Sequence, residues 1–493
     1  MSVLGIDVGT GGTRAVVVDR DGQVVASATK PHEPFATPQA GWAEQDPSDW
    51  WRACTLAVRE VLGRVPRDPV VAVGLSGQMH GAVVLDEHDE VLRPSLIWCD
   101  QRTGPQCEAL VRQLGEERLV ELTSNPALTA FTLPKLLWIR DNEPDVWRRV
   151  RRVLLPKDYV RLRLTGEHAT DVADASGTLL FDVANRRWSA PMVEAAGLDM
   201  SLLPTAYESP EVTGQITAEA AETVGLAAGT PVVAGAGDQA AGAVGMGVVR
   251  PGAVSATIGT SGVVFAATDE PTRDPRGRIH SFCHAAPARW HVMGVTQAAG
   301  LSLRWFAEQF GPGQAEDLYE RLTAEAASAP PGSDGVLWAP YLLGERTPHL
   351  DPDARAALVG LSAAHRRGHV VRAILEGVAF SLRDTLAIFD ELSLPVDSIR
   401  LGGGGARSAL WRQIQADVYG REVEVIAVDE GAAYGAAVLA GVGAGIWPSV
   451  EDACDAVVTV AARVPPDAEA AAILASRYGV FRQLYGVLRP LGR

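Results

Sequence analysis

The chain has 493 residues, 47% apolar and 21% charged, the composition of a soluble globular protein with room for roughly two to four domains. Its formal charge of −16 excludes the basic footprint that a nucleic acid or an anionic membrane demands, so any phosphate has to be bound locally. Cys54, Cys99, Cys107, Cys283 and Cys454 are scattered and odd in number, which predicts reduced thiols in a cytoplasmic compartment.

The opening MSVLGIDVGTGGTR lacks a basic segment followed by an apolar one, so no signal peptide is expected. Its pattern predicts strands over 3–8, 13–19 and 23–28, joined by a Gly-rich turn and by Asp21-Gly22 into a meander. Gly9, Gly11 and Gly12 leave backbone N–H groups free, and Thr10 and Thr13 add hydroxyls. Such a turn suits an anion, although a plain hairpin reads equally well. A carboxylate beside phosphates, here Asp7, is a natural outer ligand for Mg²⁺.

Asp46-Pro47-Ser48 starts an amphipathic helix with Trp51, Cys54, Val58, Val61 and Leu62 on its apolar face. The strand that follows ends in SGQMHG, where Gly77 and Gly81 are expected to expose Gln78, Met79 and His80. That trio suits a small polyhydroxylated ligand; a structural histidine is the alternative. In SLIWCDQRT, Trp98 and Asp100 come at another strand end. The indole face suits sugar C–H groups and would serve core packing as well. Only Lys30, Lys135 and Lys157 among 44 basic residues are lysines; a compact ammonium reaching a backbone group or a carboxylate at Lys135 and Lys157 is one reading, chance is an equal one, and no catalytic role is assigned to them.

At mid-chain, PVVAGAGDQAAGAVGMG predicts a strand over 231–236, a turn at Gly237-Asp238-Gln239 and a helix over 240–245. Asp238 is an N-cap, a reactive carboxylate at a strand's C-terminal end, or both. From Ser255, SATIGTSGVVFAATD repeats the plan of GIDVGTGGTRAVVVD with Gly259 250 residues after Gly9, Thr260 matching Thr10, and Thr257 in place of Asp7. Two such hairpins predict a duplicated domain with nucleotide held between the halves.

His280, Cys283, His284 and His291 lack the paired spacing of a zinc site. A helix over 366–392 is expected to pack through Val370, Ile374, Val378 and Leu382, with Gly377 allowing a close approach. Gly402 to Gly405 lead into another helix, where a ring or phosphate can approach the backbone, without either the dinucleotide or the phosphate-loop motif. The uncharged run 431–448 is long enough to suggest a membrane span, but its Gly and Ala content predicts a tightly packed buried helix with Asp429 or Glu430 at its start.

Across GIDVGTGGTR, SGQMHG, FTLPKLLWIRDN, KDYVRLRLTGEHATDVADASGTLLFDV, GAGDQAAGAVG, IGTSGVV, GGGGARSALWRQIQADVYG and EGAAYGAAVLAG, the sequence resembles the FGGY family of carbohydrate kinases over nearly its whole length. The resemblance implies an α/β fold of two actin-like ATPase (ribonuclease H-like) domains, 1–246 binding sugar and 247–493 binding nucleotide, with a cleft between them. Gly245-Met246-Gly247, between the Asp238 turn and the second hairpin, is the candidate hinge. SGQMHG points within the family to ATP-dependent phosphorylation of D-xylulose. It also implies Asp238 as catalytic base and Met79, His80, Trp98, Asp238 and Gln239 as the sugar site. Thr10, Gly11, Thr13, Gly259, Thr260, Gly403, Gly404 and Ser408 would bind ATP, and Asp7 would lie near Mg²⁺. The expected partners are sugar and ATP, with no nucleic acid or membrane and with a homodimer left open. A kinase of another ketose or polyol, and a nonenzymatic sugar sensor, are the alternatives. Gln239 and Ala130 depart from the residues commonest in the family.

Overall fold

A computed structural model describes residues 1–65, 69–311, 317–428 and 430–491. The first half opens with β1 (Ser2–Val8), β2 (Gly12–Asp19) and β3 (Val24–Pro31), paired antiparallel in sequence. Val3, Leu4, Ile6 and Val8 are all buried, because both faces of β1 are covered. Helix α1 (Pro47–Arg64) covers one of them, its N-terminus capped by Asp46, whose Oδ1 accepts from the Ser48 N–H at 2.8 Å. Its buried face is shifted from the expected one. Trp50 is fully buried, whereas Trp51 and Leu62 are only partly covered, and Arg163 lies over the Trp51 ring.

β4 (Val70–Gly77) runs parallel to β1, and α2 (Thr132–Asn142) lies in the long excursion that follows. The sheet is completed by β5 (Val212–Gln215) and β6 (Pro231–Val233), giving the order β5-β6-β4-β1-β2-β3. The expected strand 231–236 is broken. Gly235 turns at φ 80°, where a Cβ would fall 2.1 Å from the Leu75 carbonyl oxygen, and pairing with β4 resumes at β7 (Ala236–Gly237). Helix α3 (Asp238–Gly245) follows at once.

The second half repeats this plan. β8 (Gly252–Ile258) and β9 (Gly262–Thr268) form the second hairpin, flanked by β10 (His280–Cys283) and β11 (Trp290–Thr296). After the long helix α4 (Arg367–Glu391), β12 (Val396–Gly403) pairs parallel to β8. Helix α5 (Ala409–Tyr419) and β13 (Val423–Ile426) come next. The central order β11-β9-β8-β12-β13 matches β3-β2-β1-β4-β6 strand for strand and direction for direction. Thr257 faces Gly402 as Asp7 faces Ser76. On α4, Ile374, Val378 and Leu382 are buried as expected, while Val371 replaces the partly covered Val370. A Cβ on Gly377 would fall 2.2 Å from the Trp338 carbonyl oxygen, so the approach there requires glycine.

The uncharged run forms α6 (Gly431–Gly443), followed by α7 (Val450–Val457) and the edge strand β14 (Val460–Val464). Helix α6 packs on the first half's sheet, where a Cβ on Gly5 or Gly74 would fall 1.9 Å from the Ala433 oxygen or 2.0 Å from the Ala436 oxygen. It also crosses α3 in backbone contact: a Cβ on Gly435 would lie 1.7 Å from the Ala241 oxygen. Among the described residues no helix is long and apolar enough to cross a membrane. Asp429 lies outside the described residues; Glu430 precedes α6 without capping it, pairing instead with Arg14 and accepting from the Ser27 hydroxyl at 3.0 Å.

Candidate functional site

The strand ends of the first sheet converge on two carboxylates. Asp238 opens α3, but the cap position belongs to Gly237 and Asp238 makes no capping hydrogen bond. The expected N-cap role is therefore not filled. Its Oδ1 accepts from Gln239 Nε2 at 3.2 Å. Asp7, next to last on β1, has an Oδ1 with no hydrogen-bond partner. Both line one cavity of about 450 Å³ with Gln239, Ser255, Thr257, Gly403 and Arg407. Burial pushes the Asp238 carboxyl up to about 7, and the neighbouring Asp7 charge adds to the rise. Burial likewise raises Asp7 to about 6, with the Ser76 hydroxyl and Arg14 offsetting part of it. A carboxyl held near neutral pH is suited to accept a proton.

The SGQMHG turn is buried, contrary to the exposure its glycines suggest. Met79 is 4% and His80 7% exposed. His80 adopts φ 70°, an uncommon conformation for a residue with a Cβ. Its Nδ1 lies 2.8 Å from the Gly177 carbonyl oxygen, and no side chain fits at Gly177, where a Cβ would sit 2.4 Å from the ring. Facing a carbonyl, Nδ1 carries the proton, which leaves Nε2 as an acceptor. Burial and nearby Lys135 hold the imidazole neutral, its pKa well below the ordinary value. Met79 packs against Gly237, where a Cβ would lie 2.7 Å from its Cγ, joining this turn to that of Asp238.

Two buried lysines brace the same region. Lys135, on the first turn of α2, donates to the His80 carbonyl at 2.9 Å, to that of Phe131 at 3.4 Å and to that of Ala130. The Thr132 hydroxyl donates to the His80 carbonyl at 3.2 Å. Lys157 sits among fully buried carboxylates, 2.7 Å from Asp171 Oδ2 and beside Asp158. Carbonyl and carboxylate partners thus both occur. An aromatic wall that the sequence did not suggest closes the far side: the Phe131 ring lies 5.0 Å from that of His80 and 6.1 Å from that of Phe282. His280 stacks on Phe282 at 5.6 Å and His291 on Phe265 at 4.2 Å. Burial lowers His280 to about 3 and His284 to about 4, and the described residues contain no cluster of three or more His, Cys, Asp and Glu placed to hold a metal ion.

The first hairpin is tied to the SGQMHG turn. Thr10 Oγ1 accepts from Trp98 Nε1 at 2.9 Å and lies 3.4 Å from Gln78 Oε1. Trp98 is therefore anchored through its N–H. Thr13 corrects the expectation of an available hydroxyl: it is fully buried with its Oγ1 2.8 Å from His32 Nε2, because it points inward from β2. Gly11 remains exposed and Thr10 partly so.

A larger cavity of about 740 Å³ opens on the second half, lined by Gly259, Thr260, Gly404 and Ser408. The Ser408 hydroxyl accepts from the Trp411 N–H at 3.3 Å and so caps α5. Gly403, at φ 70° with no room for a Cβ beside the Ile258 oxygen, lines the smaller cavity instead. Gly300, Arg304 and Tyr319 also line the large cavity; GLSLRWF reads in sequence only as an apolar stretch.

Models of the FGGY family of carbohydrate kinases match the chain, the N-terminal domain over residues 2–245 and the C-terminal domain over 254–444. A xylulose kinase of Escherichia coli (strain K12) is 40% identical over 99% of both chains. A gluconokinase of Bacillus subtilis (strain 168) is 31% identical over 89% of this chain and 86% of its own. The crystal structure of a xylulose kinase from Rhodospirillum rubrum superposes over 100% of both chains with a TM-score of 0.91 at 33% identity.

Proposed function

The chain belongs to the FGGY family of carbohydrate kinases, and from that premise we propose that this ATP-dependent sugar kinase phosphorylates D-xylulose at O5, with Asp238 as general base. The observation that carries the reading is the pair Asp7 and Asp238 facing one cavity at the strand ends, with Asp238 raised to about 7. The O5 hydroxyl gives its proton to the Asp238 carboxylate as O5 attacks the γ-phosphorus in line. The bond from that phosphorus to the β-bridging oxygen breaks, and ADP leaves. A positioned base contributes about 10²–10⁴ in rate, and positioning and charge neutralisation contribute the rest.

Met79, His80, Trp98 and Gln239 form the sugar site in this reading. His80 Nε2, as acceptor, and the Gln239 amide select hydroxyls. Gly11 and Thr10 of the first hairpin meet the phosphates from one side, and Gly259 and Thr260 from the other. Gly403, Gly404 and Ser408 border the nucleotide, the Ser408 hydroxyl capping α5 as an acceptor while keeping its O–H to donate. The unpartnered Asp7 Oδ1 fits Mg²⁺, held directly or through water, which when bound neutralises phosphate charge. We assign the sugar side to residues 1–246 and the nucleotide side to 247–493.

The 31% identity to a gluconokinase favours one second reading, a kinase of another sugar on the same machinery. A nonenzymatic sensor would not need both carboxylates in one cavity. A coupled ADP-release assay over D-xylulose, D-ribulose, an alditol and gluconate decides among these. Highest kcat/KM on D-xylulose is expected; a clear preference for another sugar overturns the substrate, and no sugar-dependent ADP release returns the sensor.

A further inference from the structure

Apart from the Mg²⁺ that Asp7 fits, the cavity that holds Asp7 and Asp238 carries charge of the same sign as the group it has to receive. Transfer brings a phosphoryl group up against two carboxylates in a partly closed space, where like charges repel strongly. Among the described residues lining that cavity, Arg407 is the only basic side chain. Among the described residues it alone lines both this cavity and the 740 Å³ one beside Gly259, Thr260 and Ser408.

Its backbone setting fixes that position. β12 ends at Gly403, and residues 404–406 form a single tight turn closed by the Arg407 N–H donating to the Gly404 oxygen at 3.2 Å. Arg407 then directly precedes Ser408, the cap of the eleven-residue helix α5. The turn is rigid, because Gly403 and Gly405 abut Ile258 too closely for any side chain. The base of Arg407 is thereby held at the junction of the two cavities, beside a helix N-terminus whose dipole also favours negative charge.

We propose that Arg407 is a catalytic residue whose guanidinium spans from the nucleotide cavity to the carboxylate cavity and stabilises the negative charge on the phosphoryl group during its transfer. The proposal rests on the kinase reading above. The reaction is unchanged: O5 bonds to phosphorus, the bond to the ADP oxygen breaks, and the O5 proton goes to Asp238. Arg407 accepts and donates no proton. An arginine suits this place because its planar fork meets two phosphoryl oxygens at once, which an ammonium does not.

The test is steady-state kinetics of wild type, Arg407→Ala and Arg407→Lys at saturating ATP, with melting curves to check folding. The expected result is a kcat loss of about 10²–10³ in Arg407→Ala, a smaller loss in Arg407→Lys, and ATP KM changed much less than kcat. Sub-denaturing guanidinium should restore part of the Arg407→Ala turnover, while uncharged urea of similar shape should not. A merely structural arginine would not respond to that difference. A kcat within about tenfold of wild type, or a loss confined to ATP KM, overturns the proposal. So does a folded Arg407→Lys no better than Arg407→Ala with no guanidinium rescue. Failure of the kinase reading looks different, since wild type itself would then release no ADP in response to sugar.

Discussion

Lys135 illustrates how much of the site is decided by single buried groups. A desolvated ammonium at a helix N-terminus is costly, and burial lowers its pKa to about 7. It is retained where three carbonyls converge from the His80 and Ala130–Phe131 turns. Lys135→Met should therefore raise sugar KM by about tenfold or more, since a lost charged hydrogen bond to a buried acceptor costs about 1.5–3 kcal/mol, while ATP KM stays near wild type. Equal effects on both substrates in sugar and ATP titrations would contradict the clamp. Asp238 adds a pH signature. A base raised to about 7 is protonated below that pH, so kcat/KM for sugar should fall about tenfold per pH unit below 7. In Asp7→Asn the break should move to lower pH, because a like charge is gone; a pH-independent rate between 5 and 8 would exclude Asp238 as the titrating base. Stability moves with the opposite sign. The folded pKa lies above the ordinary 3.8, so the group's contribution is full below 3.8 and lost as pH rises through 7. Asp238→Asn should melt above wild type, with a gap that widens from pH 4 to 7 and then stays level in calorimetry.

At the scale of elements, the hairpins, the Asp238 turn and the long helix α4 were legible because each is a local pattern: alternating apolar residues, a Gly-Thr turn, a 3.6-residue period. What escaped was set by distant neighbours. Gly77 and Gly81 suggest an exposed His80, yet Gly177, Phe131 and Phe282 bury it. Thr13 reads as a phosphate donor until strand direction turns it toward His32. The break at Gly235 depends on the Leu75 carbonyl of another strand. Arg407 gives no local signal, since only the folded junction of two cavities singles it out. The crossing of α3 and α6 has a direct test. Gly435→Ala forces a methyl group to within 1.7 Å of the Ala241 oxygen, which backbone cannot accommodate without shifting. A loss of about 1–3 kcal/mol or more is expected, measured by urea unfolding; an unchanged midpoint would mean the helices part easily.

At the scale of the molecule, the duplicated sheets bring two nonequivalent strand ends together. The first contributes Asp7 and, through α3, Asp238; the second contributes Thr257 and the glycine-lined 740 Å³ cavity. Between them the chain passes through Gly245-Met246-Gly247, with Gly247 at φ 68° and its Cβ position 2.3 Å from Arg400. If this is the hinge, Gly247→Val should slow turnover while leaving nucleotide affinity of the sugar-free enzyme nearly unchanged. Unaltered kinetics in a folded variant would put the hinge elsewhere. The most direct test of the central claim is sugar-dependent ADP release from D-xylulose by wild type and by folded Asp238→Ala. Robust turnover by wild type and a loss of about a hundredfold or more in the variant are predicted. Retention of more than about a tenth of wild-type turnover would contradict Asp238 as the base.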